Sequence, residues 1–198
     1  WHLGHEALIE IEAVSTGRGE EEREEARARY DFTDWPNVGS EASLKEQAEV
    51  WHQWGRRFLE RDGSHRTIAS LLRGRENTLI DVTPTDDQAK RANLARIALE
   101  VDRLGADSVI FTTEAWMAMA VQEDDPRHRL RARDRTDRVD SLITYAAARD
   151  GGSAAFSSAF RMVDGSPVLE EVVPFDADPR QALGPILEVW GRWPAEEK

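Results

Sequence analysis

Three groups of residues have the types and spacings that chemistry needs. The first is Thr112-Thr113-Glu114-Ala115-Trp116, which ends an apolar run, taken with Thr83 and Thr85 at a predicted helix start. Glu114 suits a general base, Trp116 suits stacking on a ligand, and the free N–H groups of a helix start suit an anion. The plainer reading is that Asp86 and Asp87 already fill that helix end, while Glu114 pairs with an arginine.

The second group is Arg127, Arg129, Arg131, Arg133 and Arg135, at alternate positions. In extended backbone such side chains point one way, so the row suits phosphates, an acidic peptide or RNA. Over 122–140, however, six Arg meet six acids, so the segment is locally neutral. No aromatic residue is interleaved, which argues against nucleic acid. The plainer reading is a solvated loop whose arginines pair with those acids.

The third group is Trp51, Trp54, Trp190 and Trp193, on two predicted helices. They either pack against each other or offer aromatic anchors to a protein partner or a second copy of the chain. No metal or cofactor is expected. There is no Cys, His2, His5 and Glu6 form only a terminal cluster, and the helical zinc pattern with two His four apart is absent. Phosphate-loop, dinucleotide-turn and nucleophile-elbow signatures are absent as well.

Composition sets the frame for these groups. The 198 residues carry 38 acids against 26 basic residues, a formal net charge of -12, which opposes a surface that tracks a phosphate backbone. Of the basic residues only Lys45, Lys90 and Lys198 are lysine. The absence of Cys excludes disulfide frameworks and thiolate chemistry. No apolar stretch approaches the ~20 residues of a membrane span and no signal peptide is visible, so a cytoplasmic protein is expected. A chain beginning at Trp1 is expected to be trimmed or part of a longer one.

The elements that must position these groups are legible to different degrees. Residues 1–40 read as a peripheral leader, with a brief alternation near Ile9–Ala13 and a charged stretch Glu20–Arg29. Residues 41–198 read as a single α/β domain. Ser43-Leu44-Lys45-Glu46 fits a capping box, Leu44, Ala48, Trp51, Phe58 and Leu59 recur at helical spacing, and Gly63 stops the helix. Thr67–Leu72 reads as one or two helical turns. Thr78–Thr83 and Ser108–Thr113 read as strands, joined by a helix whose stripe is Leu94, Ile97, Ala98, Val101 and Leu104. Strand, helix and strand predict a βαβ unit with parallel strands and a right-handed crossover. Ser141–Arg149, Ala154–Val163 and Val168–Phe175 read as an antiparallel meander with turns at Asp150-Gly151-Gly152 and Asp164-Gly165. A last helix opens at Pro179, with a kink or late start predicted by Pro185. The fold class expected is therefore mixed α/β, one sheet of about five strands with packing helices.

The stretch from Thr78 to about Phe175 resembles a group of uncharacterised bacterial α/β proteins. The resemblance is carried by a strand running into Glu114-Ala115-Trp116, a charged loop, and Asp134-Arg135-Thr136-Asp137-Arg138 leading into hairpins. It implies a shared fold and nothing catalytic. The leading functional expectation is a non-catalytic interaction or assembly module that binds a protein partner or itself. Two alternatives stand beside it. One is a small hydrolase or transferase using Glu114 at the rim of the parallel strands, with Thr83, Thr85, Thr113 and Trp116 around the substrate. The other is nucleic-acid binding through Arg129, Arg131 and Arg133.

Overall fold

In the computed structural model the residues described are 42–74, 76–82, 87–118, 125–176 and 179–192. Helix α1 (Leu44–Asp62) is set by its two ends. The Ser43 hydroxyl accepts the Glu46 N–H (3.3 Å), and the Glu46 carboxylate accepts the Ser43 N–H (2.7 Å), which satisfies donors that the first turn leaves open. Gly63 closes the helix at φ 75°, a left-handed conformation that a side chain would strain, and donates to the Leu59 carbonyl (2.9 Å). The buried stripe is Ala48, His52, Gly55 and Leu59. It runs through a histidine and a glycine, while Phe58 is only half-buried.

The chain then forms strands, and here the expected architecture is corrected. Residues read as helical turns are strand β1 (Ile68–Arg73), which pairs antiparallel with both β2 (Glu76–Asp81) and β3 (Ser108–Met117). The segments expected to lie side by side as parallel neighbours are separated by β1. Strands β4 (Val139–Ala148), β5 (Ser153–Val163), β6 (Ser166–Leu169) and β7 (Val173–Pro174) complete a seven-stranded sheet, ordered β2-β1-β3-β4-β5-β6 with β7 also on β5. Every pairing is antiparallel. Among the described residues the fold is thus an antiparallel sheet with three α-helices, and not a βαβ unit in a sheet of about five strands.

The physical reason lies in β1. It is covered on both faces, so Ile68-Ala69-Ser70-Leu71-Leu72 shows a nearly continuous apolar run that periodicity cannot tell from a short buried helix. A tight turn at Gly74 (φ 56°) then lets β2 fold straight back on it. Strands β2 and β3 still run the same way, because each opposes β1, and helix α2 (Asp87–Leu104) still crosses between them.

The pairing register sorts side chains onto two faces. One face buries Ala69, Leu71, Val109, Phe111 and Ala147 against Ile97 and Val101 of α2 and Leu183, Ile186 and Trp190 of α3 (Pro179–Arg192). Helix α3 is broken at Leu183 (φ -123°, ψ 18°), two residues before Pro185, as a missing N–H requires. Trp190 is 6% exposed, and its indole N–H donates to the Ala106 carbonyl (2.8 Å), so this side chain belongs to the core. The other face lies under α1 and buries Ile110, Ala146 and Phe156 against Ala48.

Between β3 and β4 the arginine-rich segment is not extended. It forms two 3₁₀ turns, Pro126–Arg129 and Ala132–Asp134, so the five arginines do not form one row. Local pairing explains the difference. Arg127 bridges Asp125 (2.6 Å) and Asp137 (2.9 Å), and Arg135 grips Asp137 through two nitrogens (2.9 and 2.7 Å). The expectations placed on the leader 1–40, on Thr83 and Thr85, and on Trp193 lie outside the described residues. No helix among the described residues is long and apolar enough to cross a membrane.

Candidate functional site

Helix α1 ends at Asp62 while the sheet face beneath it continues. On that face β3 presents Thr112, Glu114 and Trp116 in succession. Trp116 lies opposite Asp140 of β4, which lies opposite Phe160 of β5, so these three form one row across three strands. Above the row stand Arg131, which precedes the second 3₁₀ turn, and Arg133 within it. Glu114, Ala115, Trp116, Asp140, Phe160, Arg131 and Arg133 line a cleft of about 460 Å³. That volume is in the range of small-ligand and side-chain-binding sites.

The cleft has an organised rim. Trp116 is 49% exposed, and the Arg138 guanidinium sits 5.0 Å from the centre of its ring. Arg138 also donates to the Arg133 carbonyl, which ties the arginine-bearing turn to the tryptophan. The paired Arg127 and Arg135 guanidiniums hold the carboxyls of Asp125 and Asp137 down to about 2, so this ionic frame persists across ordinary pH. Glu114 accepts the His65 backbone N–H, which fixes the carboxylate at the cleft edge. The lining brings two carboxylates, two guanidiniums and two aromatic rings together.

Under α1, beside the cleft, lies a buried polar chain. His52 is 0% exposed, with Nδ1 3.0 Å from Thr144 Oγ1 and Nε2 3.0 Å from Ser158 Oγ. Arg56 donates to Ser158 Oγ and to the Glu170 carbonyl, both at 2.5 Å. Ser158 Oγ thus joins Arg56 to His52 Nε2, while Thr144 Oγ1 joins His52 Nδ1 to Thr112 Oγ1, 3.0 Å further on. Desolvation, with help from Arg56 and His65, lowers the His52 pKa to about 4. Burial likewise lowers that of His65 to about 4, against an opposing pull from Asp81. Both rings are therefore neutral at pH 7. His65 Nδ1 is buried without a partner among the described residues.

Of the residues singled out by type and spacing, the structure gathers Glu114, Trp116, Arg131 and Arg133 around one cleft. Thr113 points to the opposite face, where its hydroxyl meets that of Thr67 (2.9 Å). Arg129 is exposed and outside the lining. Trp51 and Trp54 stack at 5.4 Å, tilted by 51°, on the half-buried side of α1. Asp140, Phe160 and the His52 chain were not foreseen. Thr112, Thr144 and Ser158, polar residues at face-sharing positions in otherwise apolar strands, were the one available signal of a polar layer facing a histidine. Among the described residues no group of three His, Asp or Glu side chains is placed to hold a metal ion.

Comparison with known proteins gives a family and no nearer relative. No curated protein and no solved structure matches the chain. The model of one family, described as bacteriophage lambda protein ea47, matches residues 1–198. The resemblance pointed to a bacterial group over about half the chain, whereas this match is to a phage protein and extends over all of it. The chain therefore belongs to the bacteriophage lambda ea47 family.

Proposed function

We propose that this chain is a non-catalytic interaction module that holds a partner protein in the cleft beyond α1. The observation that carries this reading is Trp116, half-exposed between Arg131 and Asp140, neither of which has an ionic partner among the described residues. Trp and Arg dominate the energetics of protein interfaces when a flanking rim can exclude water from them. The partner chemistry that fits is an extended segment with an apolar or aromatic side chain for the Trp116–Phe160 floor and a carboxylate for the Arg131–Arg133 wall. The His52 imidazole and the Ser158 hydroxyl are buried in a mutual hydrogen bond, away from any solute, which favours binding over catalysis.

The test is affinity capture from the native host, followed by titration of the purified partner against wild type, Trp116→Ala and Arg131→Glu. Each variant is expected to weaken binding at least tenfold without lowering thermal stability. Equal affinity of wild type and Trp116→Ala for the partner sinks the reading. A second reading has one observation in its favour: Trp116 and Phe160 stand beside Arg131 and Arg133 in space, although no aromatic is interleaved with arginine in sequence. Rings next to cations are the elements of a single-strand nucleic-acid platform. That reading predicts oligonucleotide binding that weakens between 50 and 200 mM salt, by about sevenfold for the two phosphates that Arg131 and Arg133 would neutralise.

A further inference from the structure

The two edges of the sheet differ in how they are protected. At the β6–β7 edge, Ala159 pairs with Glu170 and Ala155 with Phe175 through backbone hydrogen bonds, which turns Pro167 and Pro174 outward. Proline has no N–H to offer, and the ladder shifts register between β6 and β7, so a further strand cannot pair along this edge. Strand β2 has neither device. It is in continuous register with β1 over all six residues and contains no proline.

The register settles which β2 groups face outward. Val82 N–H donates to the Thr67 carbonyl, so Thr67 and Val82 form a hydrogen-bonded pair, as do Ala69 with Ile80 and Leu71 with Thr78. The backbone N–H and C=O groups of Asn77, Leu79 and Asp81 therefore point away from β1. Arg96 reaches this edge and donates to the Asp81 carbonyl (2.6 Å). No partner for the outward groups of Asn77 or Leu79 exists among the described residues. The Leu79 side chain is 56% exposed.

We infer that the β2 edge joins two copies of this chain, antiparallel, with Leu79 on the twofold axis. An antiparallel partner must place outward residues opposite outward residues, and this register does so over the greatest length. Leu79 meets Leu79 of the partner, and Asn77 meets the partner's Asp81. Asn77 Oδ1 accepts the Ser70 hydroxyl (2.8 Å), so its amide N–H₂ is the end left to give to a carboxylate. The alignment that would set Glu76 against Asp81, like charge on like, is odd in register and is forbidden by the same alternation. The occupant is thus a second copy by self-complementarity: an apolar contact on the axis, Leu79 backbone groups exchanging two hydrogen bonds and, on each side, an Asn77 amide brought to an Asp81 carboxylate that Arg66 already pairs. This inference does not depend on the cleft.

The test uses the full chain and sedimentation across about 1–200 µM, the range in which a joint of this modest size is expected to titrate. Wild type is expected to double in mass. Leu79→Pro removes an N–H that the β1–β2 ladder does not use, and Leu79→Lys adds charge on the axis. Both are expected to raise the dimer dissociation constant at least tenfold with the fold retained by circular dichroism. The chain has no Cys, so Leu79→Cys supplies one thiol per copy, expected to cross-link on mild oxidation, while Leu99→Cys on the exposed side of α2 does not. If Leu79→Pro fails to fold, Leu79→Lys and the cross-link still decide. A monomer throughout, a dimer indifferent to Leu79→Lys, or a dimer lost in Trp116→Ala overturns the inference. The last result would move the joint to the cleft.

Discussion

Beneath α2 and α3 the sheet meets its helices with aliphatic and aromatic side chains: Leu71, Val109 and Phe111 against Ile97, Val101 and Ile186. Beneath α1 the same sheet has a smaller apolar cluster, Ile110, Ala146 and Phe156 against Ala48, and beside it meets the helix through hydroxyls, an imidazole and a guanidinium. The first contact is non-directional and tolerates small shifts, since apolar burial scales with area. The second is directional, because His52 must place two nitrogens on two strands at once, Thr144 on β4 and Ser158 on β5. The polar face therefore fixes how α1 sits on the sheet, and Gly63, which ends the helix, fixes where the open row of Trp116, Asp140 and Phe160 begins. Stability is concentrated on one side of the sheet and positional definition on the other, next to the cleft.

The largest way to break this comparison is acid. Both imidazoles have folded pKa values near 4, below the 6.5 of an unfolded histidine. A depressed imidazole pKa means that the unfolded chain takes up the proton first. Their contribution is complete above pH 6.5 and falls as pH drops toward 4, by about 3 kcal/mol for each ring at most. Asp125 and Asp137 act in a lower window, losing their contribution only between about pH 3.8 and 2. Urea unfolding at pH 7, 5.5 and 4 should show a steep loss, and hydrogen exchange should open at α1 amides before those of α2. A stability level from pH 7 to 4 would show that the imidazoles are not held neutral.

Next in size is the dry side. Ile97 is fully buried, and Ile97→Ala should cost about 3 kcal/mol through lost burial and the cavity left behind. What sharpens the comparison is pH. This loss should be the same at pH 7 and pH 5, whereas His52→Leu should remove about half of the acid dependence, leaving the part that His65 carries. Unfolding midpoints for the two variants across that range check both expectations.

These contrasts also explain what the sequence made legible. Chain ends of elements are local chemistry, and they were readable: Ser43 with Glu46 and Gly63 bound α1, Asp150-Gly151 turns β4 into β5, and Pro185 accompanies the break at Leu183. The strand in Ile68–Leu72 was not readable, because burial on both faces erases the alternation that identifies a strand. The alternating arginines misled for the converse reason: spacing of two implies one face only in extended backbone, and Asp125 and Asp137 fold that segment into turns. Of the site, Glu114, Trp116, Arg131 and Arg133 stood out by type. Asp140 and Phe160 join them only through strand register, which sequence spacing does not encode. The leading functional expectation did not depend on the parallel pair, whereas the rim imagined between those strands vanished with it.

The smallest prediction tests how closely the polar face is fitted. Gly55 lies where α1 crosses the sheet, and a Cβ there would stand 3.0 Å from Thr112 Cγ2, 3.1 Å from Leu142 Cδ2 and 3.2 Å from His65 Nε2. A glycine in a helix interior ordinarily gains about 1 kcal/mol on replacement by alanine. Here the new methyl must push either the helix or the ring, and overpacking costs about 1–3 kcal/mol, so the net loss should be about 1 kcal/mol. The shift has a direction. Lifting α1 lengthens the His52 bonds to Thr144 and Ser158 together, and it moves His65, whose backbone N–H holds Glu114 at the cleft. Gly55→Ala should therefore weaken partner binding while leaving the α2–α3 side unchanged in hydrogen exchange. A variant more stable than wild type would mean that α1 rides on the sheet without being registered by it, and the division of labour between the two faces would fail.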